Sequence, residues 1–184
     1  KIEEHSHQMF TFGRKVFRYD SFGSEDFFGG LLGLHQAIKG SENGGVGRGL
    51  TPMKALELGI KVDAQKLPKA LGEVLLEGDI ALQDPHTTQD LIRADAVVGV
   101  KGVFKGEDLV SVGITCALCH STVDDSVMKG IGRRLDGWPN LDLNPGAIIA
   151  LSPAVPPEQK AIYNSWGRGK YDPRYNIDRI NAPV

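Results

Sequence analysis

Cys116 and Cys119 are the only two cysteines among 184 residues; two residues separate them, and His120 follows at once. Cys-x-x-Cys-His is the spacing by which a chain holds a haem covalently. On a helix the two thiols lie about one turn apart. Both can then form thioether links to the vinyl groups of one porphyrin, while the His120 imidazole meets the iron as an axial ligand. Other chemistries fit less well. A structural zinc takes four ligands, and no second Cys/His pair stands at finger spacing. A thioredoxin-like thiol pair belongs in a βαβ context, which this stretch lacks, and it has no use for His120. The expected cofactor is one covalent haem c.

The iron's other side needs a ligand or a cover, and His35 is the first candidate. Ser24 reads as a helix cap, with Glu25 and Asp26 in the first turn. Phe27, Leu31, Leu34, His35 and Ile38 recur at three- and four-residue spacing up to a stop near Gly40, which puts His35 on the apolar face. A lone histidine there is usually a core residue bonded to a carbonyl. Gly29, Gly30 and Gly33 shift the balance, because each costs about 1 kcal/mol relative to alanine in a helix and would make room for a bulky planar group. The expected metal ligands are therefore His120 and His35. Met9 and Met53 are alternative donors, whereas Met128 is too close to His120 in the chain to reach around the ring, and no methionine follows it. If His35 ligates, His35→Ala should make the haem high-spin and open to carbon monoxide. Two imidazoles should also hold the potential below that of a His/Met haem.

Three further residues are expected to touch the cofactor. Arg133 and Arg134 carry planar, permanent charges suited to a propionate, although pairing with Asp136 or facing water would explain them equally well. The indole of Trp138 can donate one hydrogen bond while its face packs on the porphyrin.

The elements that must position these groups can be read in outline. Lys1 to Gln8 reads as a polar, mobile end with solvated His5 and His7, and Thr11 to Tyr19 alternates only loosely. Ser41 to Arg48 is glycine-rich but lacks the Lys-Ser/Thr pair of a phosphate loop. Thr51-Pro52 opens a short helix that stops at Gly59. Pro68 opens another, with Leu67, Leu71, Val74 and Leu75 as its stripe and Gly78 as its end. A third follows Asp84-Pro85 to about Ala94. Val97 to Phe104 and Leu109 to Ile114 then read as a hairpin leading directly into the cysteine motif. Gly167 to Val184 reads as an extended arm that packs on its own domain or on a neighbour. The expected fold is mainly α, with a helical region over residues 1–95 packing on the haem and a haem-binding region over 96–184.

Composition excludes other classes. A net charge of −2 gives no basic stripe for nucleic acid, and no run of about 18 apolar residues spans a membrane. Covalent haem attachment takes place outside the bacterial cytoplasm, so a periplasmic or extracellular location is expected, and a start at Lys1 fits a chain freed of its signal peptide.

Thr115-Cys-Ala-Leu-Cys-His120, followed by Gly130-Ile-Gly-Arg-Arg-Leu-Asp-Gly137, resembles the haem-binding half of a class I cytochrome c, with Arg133 where that family usually has proline. The run from Phe22 through Leu34-His35, Ala96-Val-Val-Gly-Val100 and Trp138-Pro139-Asn140 are similar to a group of exported bacterial c-type cytochromes. Longer members of that group continue into a second domain like that of dihaem cytochrome c peroxidases. The resemblance implies a cytochrome c-like haem domain working in electron transfer, with redox proteins or neighbouring cytochrome subunits as partners. With one haem motif in the chain, peroxidase activity is not carried over.

Overall fold

The structure is a computed structural model that describes residues 2–69, 71–73 and 79–175. About half of these residues are helical, and the strands form three two-stranded sheets. Among the described residues no helix is long and apolar enough to cross a membrane.

The chain opens with an 18-residue helix, α1 (Ile2–Tyr19). This corrects the expected mobile end and the loosely alternating segment after it. Ile2, Met9, Phe12 and Val16 share a helical period that runs through both stretches. None of the residues of α1 is buried, and His5 and His7 are exposed.

The single helix expected from Ser24 to Gly40 is two pieces, a π-helical turn (Asp26–Leu31) and α2 (Leu34–Lys39), parted at Gly33 with φ +61°. Ser24 does not cap it. Its hydroxyl instead donates to the Ile114 carbonyl (3.0 Å) and accepts from the Ile114 N–H (2.9 Å). The turn is thereby pinned to a strand, and a side chain at Gly29 would run into Ser111. Close approach of two backbones explains that glycine without a planar group.

The next helix is α3 (Pro52–Glu57), capped by the Thr51 hydroxyl on the Lys54 N–H at 3.2 Å. After β1 (Val62–Asp63), residues 69 and 71–73 are helical, as expected after Pro68; Val74, Leu75 and Gly78 of that expectation lie outside the described residues. Two helices follow, α4 (Asp79–Leu82) and α5 (Pro85–Arg93), the latter capped by Asp84. The expected hairpin is present as β2 (Val100–Lys105) and β3 (Asp108–Ile114), antiparallel with a register shift at Val103/Phe104. Arg93 clasps its turn, donating to the carbonyls of Gly106 and Glu107 while its guanidinium lies 4.1 Å from the Phe104 ring centre.

The cysteine motif forms α6 (Ala117–His120), directly followed by β4 (Ser121–Val123). The chain returns through β5 (Ile131–Gly132), parallel to β1, and β6 (Arg134–Asp136), antiparallel to β4. It closes with α7 (Pro145–Ala150) and α8 (Pro157–Asn164). Of the arm, Gly167 to Tyr175 packs on its own domain: the Gly169 N–H bonds the Leu143 carbonyl at 2.7 Å, and the Tyr171 ring sits edge-on to Trp166.

One apolar core joins the chain's two halves. Leu32, Leu34 and Ile38 pack in the same cluster as Leu109, Leu118, Ile131, Ile149 and Trp166. Lys39–Asp108 and Lys61–Asp142 ion pairs add crosslinks between residues 1–95 and 96–184, so the two regions share one packing unit.

Candidate functional site

Backbone geometry fixes the cysteine motif before any side chain acts. The Thr115 N–H bonds the Gly99 carbonyl (3.0 Å), which ties the motif's entrance to the turn that precedes β2. The Thr115 hydroxyl donates to the Arg18 carbonyl at 3.2 Å, which ties it to α1. At its exit the carbonyls of Cys119 and His120 accept from the N–H groups of Asn140 (2.9 Å) and Gly137 (2.8 Å). The buried Asn140 side chain adds a bond to the Gly59 carbonyl at 2.8 Å. The ends of α6 are thus satisfied by tertiary contacts.

That frame sorts the five residues by face. Ala117 and Leu118 are buried, whereas Cys116, Cys119 and His120 are exposed together on the outer side of one helical turn. Both cysteines are free thiols. The residue as a whole is exposed, but packing around its sulphur, and then the neighbouring Cys116, push the Cys119 thiol above its ordinary value. Two thiols and an imidazole on one exposed face are residues that could hold a covalently attached haem.

Beside this face lies a charged network that the sequence only partly revealed. The Asp136 carboxylate accepts from Arg18 (2.7 Å), Arg134 (2.8 Å) and the Ser121 hydroxyl (2.9 Å). The Arg134 side chain is 2% exposed, and its Nη2 has no partner. Burial pushes the Asp136 carboxyl up, but the bonds from Arg18 and Ser121 and the charge of Arg134 outweigh it and hold the group below the usual carboxylate range. Burial and the nearby Arg18 charge lower Arg134, against the pull of Asp136. Two arginines on one carboxylate leave a surplus positive charge, with a buried donor free, next to the residue that follows His120.

Of the other expected site residues, Arg133 points to solvent and pairs loosely with Asp124 at 3.6 Å. Trp138 is 64% exposed, one residue beyond the Gly137 amide bonded to His120. Leu141, next to Asn140, is 72% exposed. Both are exposed apolar side chains that follow residues whose amides bond the motif.

His35 is not brought to that face. It lies against Gly29 and near Lys39 and Asp108, where burial and the Lys39 charge lower its pKa, and its Nδ1 is buried without a partner. Gly29 abuts Ser111 and Val112 of β3, and the strand runs on to Ile114, about 10 Å, before the motif starts. Between the two lies packed core. Leu34, Ile38, Val112, Leu118 and Leu151 line a cavity of about 50 Å³, room for a water or two. The structure thus does not bring His35 together with the motif: His35 is half-buried on its inward face, whereas the cysteines and His120 face outward. Met53 and Met128 line a different cavity, of about 220 Å³, with Lys61 and Asp142. His86 is at the surface beside Asp90.

Sequence reasoning missed Arg18, Ser121 and Asn140, whereas it named Asp136 as a candidate partner of Arg133 and Arg134, which the structure shows for Arg134. Asp136 carried a weak signal, as the only acid in the Arg133-Arg134-Leu-Asp run, whereas the others are far apart in sequence and carried none. Comparison with protein families, with curated proteins and with solved structures found no match for this chain.

Proposed function

We propose that the chain is a single-haem c-type cytochrome acting in electron transfer, with the haem bound through Cys116 and Cys119 and ligated by His120. One observation carries the reading: two free thiols and an imidazole share the exposed face of a single helical turn whose ends are anchored by backbone hydrogen bonds. The haem supplies one-electron chemistry at its iron, and the protein sets the potential through ligand, burial and charge. The surplus positive charge of the Arg18–Asp136–Arg134 cluster, reached from solvent through the partly exposed Arg18, would offset the negative charge of a propionate. Trp138 and Leu141 give the ring an apolar border, and Arg133 contributes only exposed charge. A surface-mounted haem has a short path to redox protein partners or to neighbouring cytochrome subunits, and export to the periplasm or beyond belongs to the same reading, as does the resemblance to class I cytochromes c.

A second reading is a haem enzyme or gas-binding domain with an open sixth position. The distance of His35 from the motif favours it. The two differ in a simple spectrum. A pyridine haemochrome assay on the purified protein should give a c-type signature, and its absence sinks both. A low-spin spectrum unmoved by carbon monoxide supports the carrier, whereas a high-spin ferric spectrum supports the open site.

A further inference from the structure

A cavity of about 220 Å³ opens to the surface between α3, the turn before β5 and the segment around Arg168. Backbone bonds fix its walls. The Val62 N–H bonds the Gly130 carbonyl (2.9 Å), the Asn144 N–H the Leu58 carbonyl (2.9 Å), and the Gly169 N–H the Leu143 carbonyl (2.7 Å). Met128 and Ile131 close the turn by bonding each other in both directions. Gly130 in that turn has φ +86°, and a side chain on it would run into Leu56, so the turn packs directly on α3. Such a cavity is formed in advance of any ligand, as small-molecule sites usually are.

Its chemistry is divided between floor and mouth. Met53, Leu56 and Met128 are half-buried and give it an apolar floor. Lys61 and Asp142 stand on its wall, but they are paired with each other, and the Lys61 side chain is only 4% exposed. At the mouth the Glu57 carboxylate is held by Lys54 at 2.8 Å. Two exposed cations remain. Lys129 makes no ion pair among the described residues, and Arg168 bonds the neutral Glu57 carbonyl at 3.1 Å, which leaves its full charge uncompensated. Both lie close enough to act on Asp142: the Lys61 bond lowers that carboxyl most, burial opposes it, and the charges of Lys129 and Arg168 lower it further.

We infer that this cavity binds a small monocarboxylate with an apolar tail, the tail on Met53, Leu56 and Met128 and the carboxylate at Lys129 and Arg168. Spare cations above an apolar floor are what such an amphipathic anion needs. Asp142 on the wall opposes a second negative charge and so selects a monoanion. Size sets the tail. An engineered protein cavity of about 150 Å³ takes benzene, so this one holds roughly six carbon atoms with room for the head. The binding requires no haem, and it stands or falls independently of the cytochrome reading.

Methionine methyl groups labelled with carbon-13 test it in the full chain, because Met53 and Met128 line the cavity whereas Met9 is exposed on α1. Hexanoate is added to about 10 mM, above the Kd of about 1 mM that a ligand of so few atoms reaches. The Met53 and Met128 signals should move together along one saturating curve while Met9 stays still. Hexanol and hexylamine, which keep the tail and change the head, should bind about tenfold more weakly. In a Lys129→Gln/Arg168→Gln chain, altered only at exposed positions, hexanoate should weaken about tenfold and hexanol should be unaffected. Unmoved Met53 and Met128 signals, equal shifts at all three methionines, hexylamine binding as tightly as hexanoate, or equal losses of hexanoate and hexanol in the double variant would overturn the assignment.

Discussion

Gly99→Ala should cost about 3 kcal/mol of stability and disorder the cysteine motif. Gly99 has φ +78°, in the left-handed region, and a side chain there would collide with the backbone of Leu118 inside α6. The conformation costs a non-glycine residue about 1–2 kcal/mol, and forcing extra volume into a packed site costs about 1–3 kcal/mol more. Relief can come only by moving the motif, because the Gly99 carbonyl also holds the Thr115 N–H. Gly137→Ala is the control. Gly137 has φ +82° but open space around it, so only the conformational cost applies. Urea melts should separate the two variants by at least 1 kcal/mol. Equal losses would mean that α6 is not braced by the Gly99 turn.

Asp136→Ala should be similarly severe, for an electrostatic reason. Removing one partner of a buried pair leaves the other charge uncompensated, typically about 3 kcal/mol, and Arg134 is nearly inaccessible to solvent. Asp136→Asn keeps the shape and removes only the charge, so it should fall between wild type and alanine. The pH dependence has a definite sign. Asp136 is held below the usual carboxylate range in the folded chain, so its contribution is complete above the unfolded value, about pH 3.9. It is lost as pH falls through the lower folded value. Wild type should therefore lose stability below about pH 4, and Asp136→Asn should lose less over the same range. Parallel acid titrations of the two would contradict this role.

The parts of the chain that were legible in sequence were those that local chemistry decides. Thr51-Pro52 and Asp84-Pro85 capped the helices expected of them, and the alternation around Lys105-Gly106-Glu107-Asp108 gave the hairpin. What failed depended on distant partners. The Ser24 hydroxyl met Ile114 in place of the free amides of its own helix, Gly29 packed against Ser111, and the expected long helix split at Gly33, where φ is +61°. α1 was missed because its charged residues hide a half-circle of apolar ones that only a helical projection reveals. The candidate site divided in the same way. Cys116, Cys119 and His120 are one local pattern, and their shared face follows from one turn of helix. The Arg18–Asp136–Arg134 cluster joins residues 118 positions apart, which no local spacing announces. His35 has the expected period, but the fold does not bring it to the cysteine face.

The account rests on a covalent haem, and intact mass of the purified chain tests it most directly. Produced with a c-type haem maturation system, the wild-type chain should weigh more than its sequence by the mass of one haem, and this increment should survive acid and organic solvent. The Cys116→Ser/Cys119→Ser chain, whose exposed substitutions leave the core untouched, should show the bare sequence mass under the same conditions. A wild-type chain at its unmodified mass would contradict the account.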